Sequence, residues 1–233
     1  MMFARLFAVL ITPLFLTGCL LAPGAFEARM TIDHTGAFTF AYQGEAIIVP
    51  PDESGDEEAE KADEDGADSF DRSMDSAIRE ASRRLMGGVD TADEESLRAF
   101  AARLEDRQGW NSVEYRGDGV FMVDYSITGQ LDRDFVFPVL PDFMLLLPMV
   151  IASPLDDGAI RVEIPALMKQ RDDEEGPTPE SRGGGQFTLV TDAAIVSENS
   201  ETGATQTADG RTELRWSSAE DREGRPEAVI RLD

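Results

Sequence analysis

The chain's periodicities predict an α+β fold, a twisted antiparallel sheet with a helical hairpin packed on one face. Three observations carry that expectation. Apolar and polar residues alternate through most of the chain from Phe26 to Leu232, the period of half-buried strands. Between Ser69 and Gly109 the period changes, and two apolar stripes recur at three- and four-residue steps, as on amphipathic helices. Cys19 is the single cysteine, so no disulfide can staple the fold and the sheet must be stabilised by burial against another layer.

At the N-terminus, Arg5 precedes an almost purely apolar run from Leu6 to Leu16. An early positive charge and an apolar stretch of about 7–15 residues describe a secretory signal, too short to span a bilayer. The run ends in Leu16-Thr17-Gly18-Cys19, which resembles the lipobox of bacterial lipoproteins. That resemblance implies cleavage after Gly18, a diacylglycerol thioether on Cys19 and, in many species, a further acyl chain on the new amine. Two or three chains anchor stably where one does not. An acylated Cys19 is also unavailable as a nucleophile. Leu20, rather than Asp, follows the cysteine; the sorting rule of such lipoproteins then implies the outer membrane and its periplasmic face, where the host has one. The expected organisation is a signal peptide over 1–18, a lipidated tether over 19–24 and one domain over 25–233.

Phe26, Ala28, Met30 and Ile32 form a first strand, Asp33-His34-Thr35-Gly36 a turn, and Ala37 to Val49 a second strand. Residues 50–68 carry ten carboxylates against Lys61 and offer nothing large to bury, which predicts a disordered acidic insert. They fail the EF-hand pattern, because Lys61 would hold the first ligand position and no Glu closes the loop. The first helix follows, with Phe70, Met74, Ala77, Ile78, Ala81, Leu85 and Met86 on one face, Ser69 as its cap and Gly87-Gly88 as its stop. The second opens at Thr91-Ala92-Asp93-Glu94, a capping-box pattern, and presents Leu97, Phe100, Ala101 and Leu104.

Trp110 begins the second β section, and Gly117-Asp118-Gly119 turns it into a strand from Val120 to Thr128. Phe135 to Ala152 is the most apolar run after the signal, and its prolines and Asp142 argue against a membrane helix. It reads as two short core strands joined by proline corners, or as an apolar wall that binds a lipid or a protein partner through Phe135, Phe137, Phe143, Leu145, Leu147 and Met149. Asp156-Asp157-Gly158 turns into the Ile160, Val162, Ile164 strand. An exposed loop at 171–185 ends in three glycines, with neither the Lys-Ser/Thr nor the helix of a phosphate loop after them. Gln186 to Val196 reads as one long strand, Asn199 to Asp209 as polar loop, and Thr212–Ser217 and Ala228–Leu232 as the last strands.

The lipobox followed closely by a β-hairpin, with Gln186-Phe187-Thr188-Leu189-Val190-Thr191 leading to Leu214-Arg215-Trp216, resembles bacterial envelope lipoproteins with the mycobacterial LppM-type domain. That resemblance implies an α+β lipoprotein domain with a role in envelope lipid interaction and supplies no catalytic residue.

Net charge is -25, from 46 Asp and Glu against 21 Lys and Arg, which disfavours nucleic acid and anionic headgroup surfaces as partners. His34 is the lone histidine and sits in a turn, so a Ser-His-Asp triad has one poorly placed base, and a zinc site lacks ligands. Asp132 and Asp134 could serve acid–base work, but such pairs arise by chance among 46 acids. No cofactor, metal site or catalytic constellation is expected. The functional expectation is a non-catalytic envelope lipoprotein that binds an apolar ligand or a protein partner. The alternatives are a structural or assembly adaptor working through exposed sheet edges and, less well supported, a hydrolase.

Overall fold

The structure, a computed structural model of the 233-residue chain, describes residues 20–49, 80, 83–84, 87–140, 148–167, 184–218 and 225–233. The signal peptide, the lipobox with Cys19, the acidic insert at 50–68, most of the 171–185 loop, and Phe143, Leu145 and Leu147 lie outside the described residues.

Strands β1 (Leu20–Ile32) and β2 (Ala37–Val49) pair antiparallel over nearly their whole length around the Asp33–Gly36 turn. Asp33 holds that turn, since its carboxylate accepts from the Thr35 amide at 2.8 Å and the Ala37 amide at 3.0 Å. Residues 20–24, expected as part of a tether, lie within β1: Leu20 pairs with Val49, and Leu21 and Ala22 are buried.

Helix α1 (Glu94–Glu105) buries Leu97, Phe100, Ala101 and Leu104, the four residues of the expected stripe. Its N-cap is Asp93 rather than Thr91, because the Asp93 carboxylate accepts from the Glu95 amide at 3.1 Å and the Ser96 amide at 3.2 Å. The next strands are β3 (Trp110–Gly117), β4 (Val120–Gln130), β5 (Phe135–Phe137), β6 (Val150–Pro154) and β7 (Ala159–Glu163). After a 3-10 turn at Pro165–Leu167 come β8 (Gly185–Thr191), β9 (Ala194–Glu198), β10 (Thr205–Gln206), β11 (Thr212–Ser217) and β12 (Glu227–Arg231).

These strands form two sheets. One has seven strands in the order β10-β11-β8-β1-β2-β4-β3, antiparallel except for β1 beside β8; the other has five, β5-β6-β7-β12-β9, all antiparallel. The expected α+β architecture is therefore overturned. The protein is mostly β, and among the described residues α1 is the one helix of seven or more residues, not half of a hairpin covering a single sheet. Of the other expected helix only Glu80, Arg83 and Arg84 are described, in helical backbone. The layer that covers the seven-stranded sheet is the second sheet. Alternation reports that a strand has one buried face but not which sheet it joins, and the five strands at 135–137, 150–154, 159–163, 194–198 and 227–231 assemble with one another.

The expected long strand at 186–196 is likewise corrected. It breaks at Asp192-Ala193, where the Thr191 hydroxyl accepts from the Ala193 amide at 3.0 Å. The chain thereby leaves the seven-stranded sheet as β8 and enters the other as β9. Phe135 to Ala152, by contrast, does contain the two short paired strands, β5 and β6.

One continuous core joins the sheets. Phe26, Ala28, Met30 and Ile32 of β1 point into it with Phe38, Phe40 and Tyr42 of β2, Phe187 and Leu189 of β8, and Leu214 and Trp216 of β11. The facing sheet contributes Phe137, Val150, Ala152, Ile160, Val162, Ala228 and Ile230.

Candidate functional site

The residues expected to bind an apolar ligand divide by position. Phe137 and Met149 are each 2% exposed, and Phe135 is partly buried against the same core. The Phe137 ring stands 4.7 Å from Tyr125, 4.9 Å from Tyr42 and 5.0 Å from Phe40, while Phe135 stands 5.0 Å from Phe38 and 5.1 Å from Phe40. Those tilted contacts lock β5 onto β2 and β4. Phe135 and Phe137 lie in the seam between the sheets, and Met149 is buried in the same core.

Among the described residues, groups with displaced ionisation do not gather in a cleft. The Thr35 hydroxyl bonded to Asp33 holds its carboxyl below the usual range, and Asp192 beside His34 raises the imidazole. Asp209, bonded by Thr207 and then Arg211 in the β10–β11 turn, is held down at about 2. Burial raises Tyr42, whose hydroxyl donates to the Glu45 carbonyl at 2.7 Å, and Tyr125. Turn geometry and core packing account for all five. Among the described residues no three His, Cys, Asp or Glu are grouped so as to hold a metal ion, and no helix is long and apolar enough to cross a membrane.

What the fold does present is the face of the seven-stranded sheet turned away from the second sheet. Strand alternation places every second residue there, and the register aligns them in rows. The middle row runs Arg215, Thr188, Arg29, Ala41 and Ser126 across β11, β8, β1, β2 and β4. On one side lies Ser217, Gln186, Glu27, Gln43 and Asp124, and on the other Glu213, Val190, Thr31, Thr39 and Thr128. Three adjoining hollows open along these rows. Two, of about 410 Å³ each, share Arg29 and Ala41; the third, about 570 Å³, extends past Glu27 and Gln43 to Met122 and Gly184.

The arginines are positioned from below. Glu213 is mostly buried, and one of its carboxylate oxygens accepts from Arg215 Nε at 2.7 Å while the other accepts from Arg29 Nη1 at 3.4 Å. Gln43 donates to Asp124 at 3.0 Å, and Asn111 donates to Asp124 at 2.8 Å and to the Ser126 hydroxyl at 2.9 Å, so the neighbouring rows are also ordered. Sequence reading missed this face. The outward residues of β1 and β8 were visible as the polar half of each alternation, but β1 lying parallel to β8, which brings Arg29 near Arg215, is a long-range pairing.

No family model and no curated protein sequence matches the chain. It is similar to a solved structure, the folded domain of LppM from Mycobacterium tuberculosis determined by NMR. The two are 12% identical with a TM-score of 0.33, over 91% of this chain and 92% of that one. A likeness at that level bears on neither ligand nor activity.

Proposed function

We propose that this chain is a lipid-anchored envelope protein that holds a ligand or partner without transforming it, and that the open face of the seven-stranded sheet is the surface it uses. The observation that carries the reading is that face itself, three adjoining hollows lined by polar and apolar side chains together. The Leu-Thr-Gly-Cys signature supports the anchor, and β1 starting at Leu20 would stand the folded body against the bilayer. Leu20 after the cysteine supports the outer membrane in a two-membrane host. The displaced carboxyls and histidine lie in exposed turns, which disfavours acid–base catalysis.

Two linked measurements test this. Cells expressing the full chain should incorporate radiolabelled palmitate into it, and Cys19→Ser should abolish the label. A photoreactive benzoylphenylalanine at Thr39, on the open face, should then give an adduct in native membranes that the same group at Val196, half-exposed on the other sheet, does not. Identical adducts from both positions would count against the open face as the binding surface.

A further inference from the structure

We infer that Arg29 and Arg215 form a receptor for the phosphate of a hydrophilic phosphate ester, a polyol or sugar phosphate, whose hydroxyls lie over the adjoining Glu27–Gln43 row. The inference rests on the open face being the binding surface and names what that surface recognises.

Both guanidiniums come from separate strands flanking Thr188, one residue to either side in the same row. Like charges so placed repel, and Glu213 beneath them relieves the repulsion by bonding to both. Glu213 is only 11% exposed at its side chain, whereas Arg29 and Arg215 are 50% and 66% exposed. The carboxylate is thus buried under two cations that reach solvent, and the trio keeps one net positive charge at the centre of a sheet in a chain of -25. A guanidinium has five N–H donors in a rigid fork, and one shared carboxylate leaves donors over on both. Tetrahedral phosphate oxygens can take donors from two forks at once, and such charge-assisted bonds are among the stronger ones.

The surroundings select what the phosphate is attached to. Next to the arginines, Thr188 supplies a hydroxyl and Gln43 an amide, and Glu27 supplies a carboxylate that accepts from hydroxyl donors. The third hollow's only large apolar side chain exposed beyond a third is Met122, at 39%. The hollow around the arginines, lined by Glu27, Gln43, Gln186 and Thr188, offers a polyol both donors and acceptors.

The experiment is calorimetric titration of the full-length acylated protein in neutral detergent with glycerol 1-phosphate. Glycerol serves as the uncharged control, and phosphatidylglycerol vesicles as the lipid arm. Glycerol 1-phosphate should bind saturably where glycerol does not. Arg29→Gln and Arg215→Gln should each weaken it about tenfold or more, the loss of one charge-assisted contact, and Arg161→Gln on the other sheet should leave it unchanged. Thermal melts establish that each variant folds, and Arg215→Lys should recover part of the affinity by restoring charge without the fork. No binding of glycerol 1-phosphate, binding unaffected by either arginine variant, or binding confined to the vesicles would overturn the inference. If the Thr39-specific adduct persists in that case, only the ligand chemistry fails; if it too is lost, the open-face reading fails with it.

Discussion

At Gly44 the backbone of β2 passes so close to β1 that a Cβ would stand 2.5 Å from the Ala25 carbonyl oxygen and 2.5 Å from Phe26 Cα. Both are main-chain atoms that no rotamer change can move, and the β1–β2 register shifts there, between Pro23 and Phe26. The close approach lets Phe26 turn into the core and stack on Tyr42, with ring centroids 5.4 Å apart. Gly44→Ala should therefore destabilise the protein by about 2 kcal/mol or more, the scale of overpacking combined with backbone strain, read as a lowered denaturation midpoint. At His34 the effect is electrostatic. Its Nδ1 lies 3.1 Å from Asp192, and its backbone amide donates to the other oxygen of that carboxylate at 2.6 Å. Asp192 raises the imidazole pKa, so the folded protein binds the proton more tightly than the unfolded chain. The pair's stabilisation is then complete below about pH 6.5 and is lost as pH rises through the higher folded-state value. The melting temperature of the native protein relative to His34→Gln should fall between pH 5.5 and pH 8.5, and a difference independent of pH would refute the coupling. His34 was legible as a turn residue, whereas Asp192 as its partner was not, because the two lie 158 positions apart.

Among the elements, local chemistry was legible and assignment to a sheet was not. The Asp33–Gly36 and Gly117–Gly119 turns, the stripe of α1 and the paired strands inside Phe135 to Ala152 all rest on short-range rules, and each is found in place. Asp118 even takes the left-handed conformation, at φ 50°, that its Gly-Asp-Gly context invites. The single long strand expected over 186–196 fails because Asp192 and Ala193 form a corner between layers, which composition alone does not distinguish from a strand interior. The capping box fails for a related reason. Thr91 and Glu94 have the right spacing, but a carboxylate at Asp93 already satisfies two amides of the first turn beside Glu94 and Glu95. Asp93→Ala should then cost about 1 kcal/mol, and Asp93→Asn, which keeps an accepting oxygen, should recover most of it. Equal losses from the two variants, measured by chemical denaturation, would take the cap away from Asp93.

For the molecule as a whole, two terms of opposite sign set stability. The attractive one is the seam where the sheets meet, concentrated at Phe137 against Phe40, Tyr42 and Tyr125. Phe137→Ala should cost about 3–5 kcal/mol, far more than any one exposed ion pair. The repulsive term is the excess of 46 acids over 21 bases. Salt acts on it in one direction and on surface ion pairs in the other. Arg98–Glu94, Arg84–Glu80 and Arg116–Glu114 are all more than half exposed on both partners or nearly so, and such pairs contribute about 0–1 kcal/mol each. Their loss on screening is therefore small. The repulsion among unbalanced carboxylates acts over many pairs, and shortening the Debye length from about 30 Å at 0.01 M to about 8 Å at 0.15 M removes most of it. The melting temperature should accordingly rise by a few degrees between 0.01 M and 0.3 M NaCl, since about 1 kcal/mol corresponds to about 2–4 °C at this size. Calcium chloride at matched ionic strength separates screening from specific binding. If screening of a diffuse acidic surface is the cause, the two salts give superimposable curves. A calcium curve that saturates at micromolar concentration would instead require a discrete cation site.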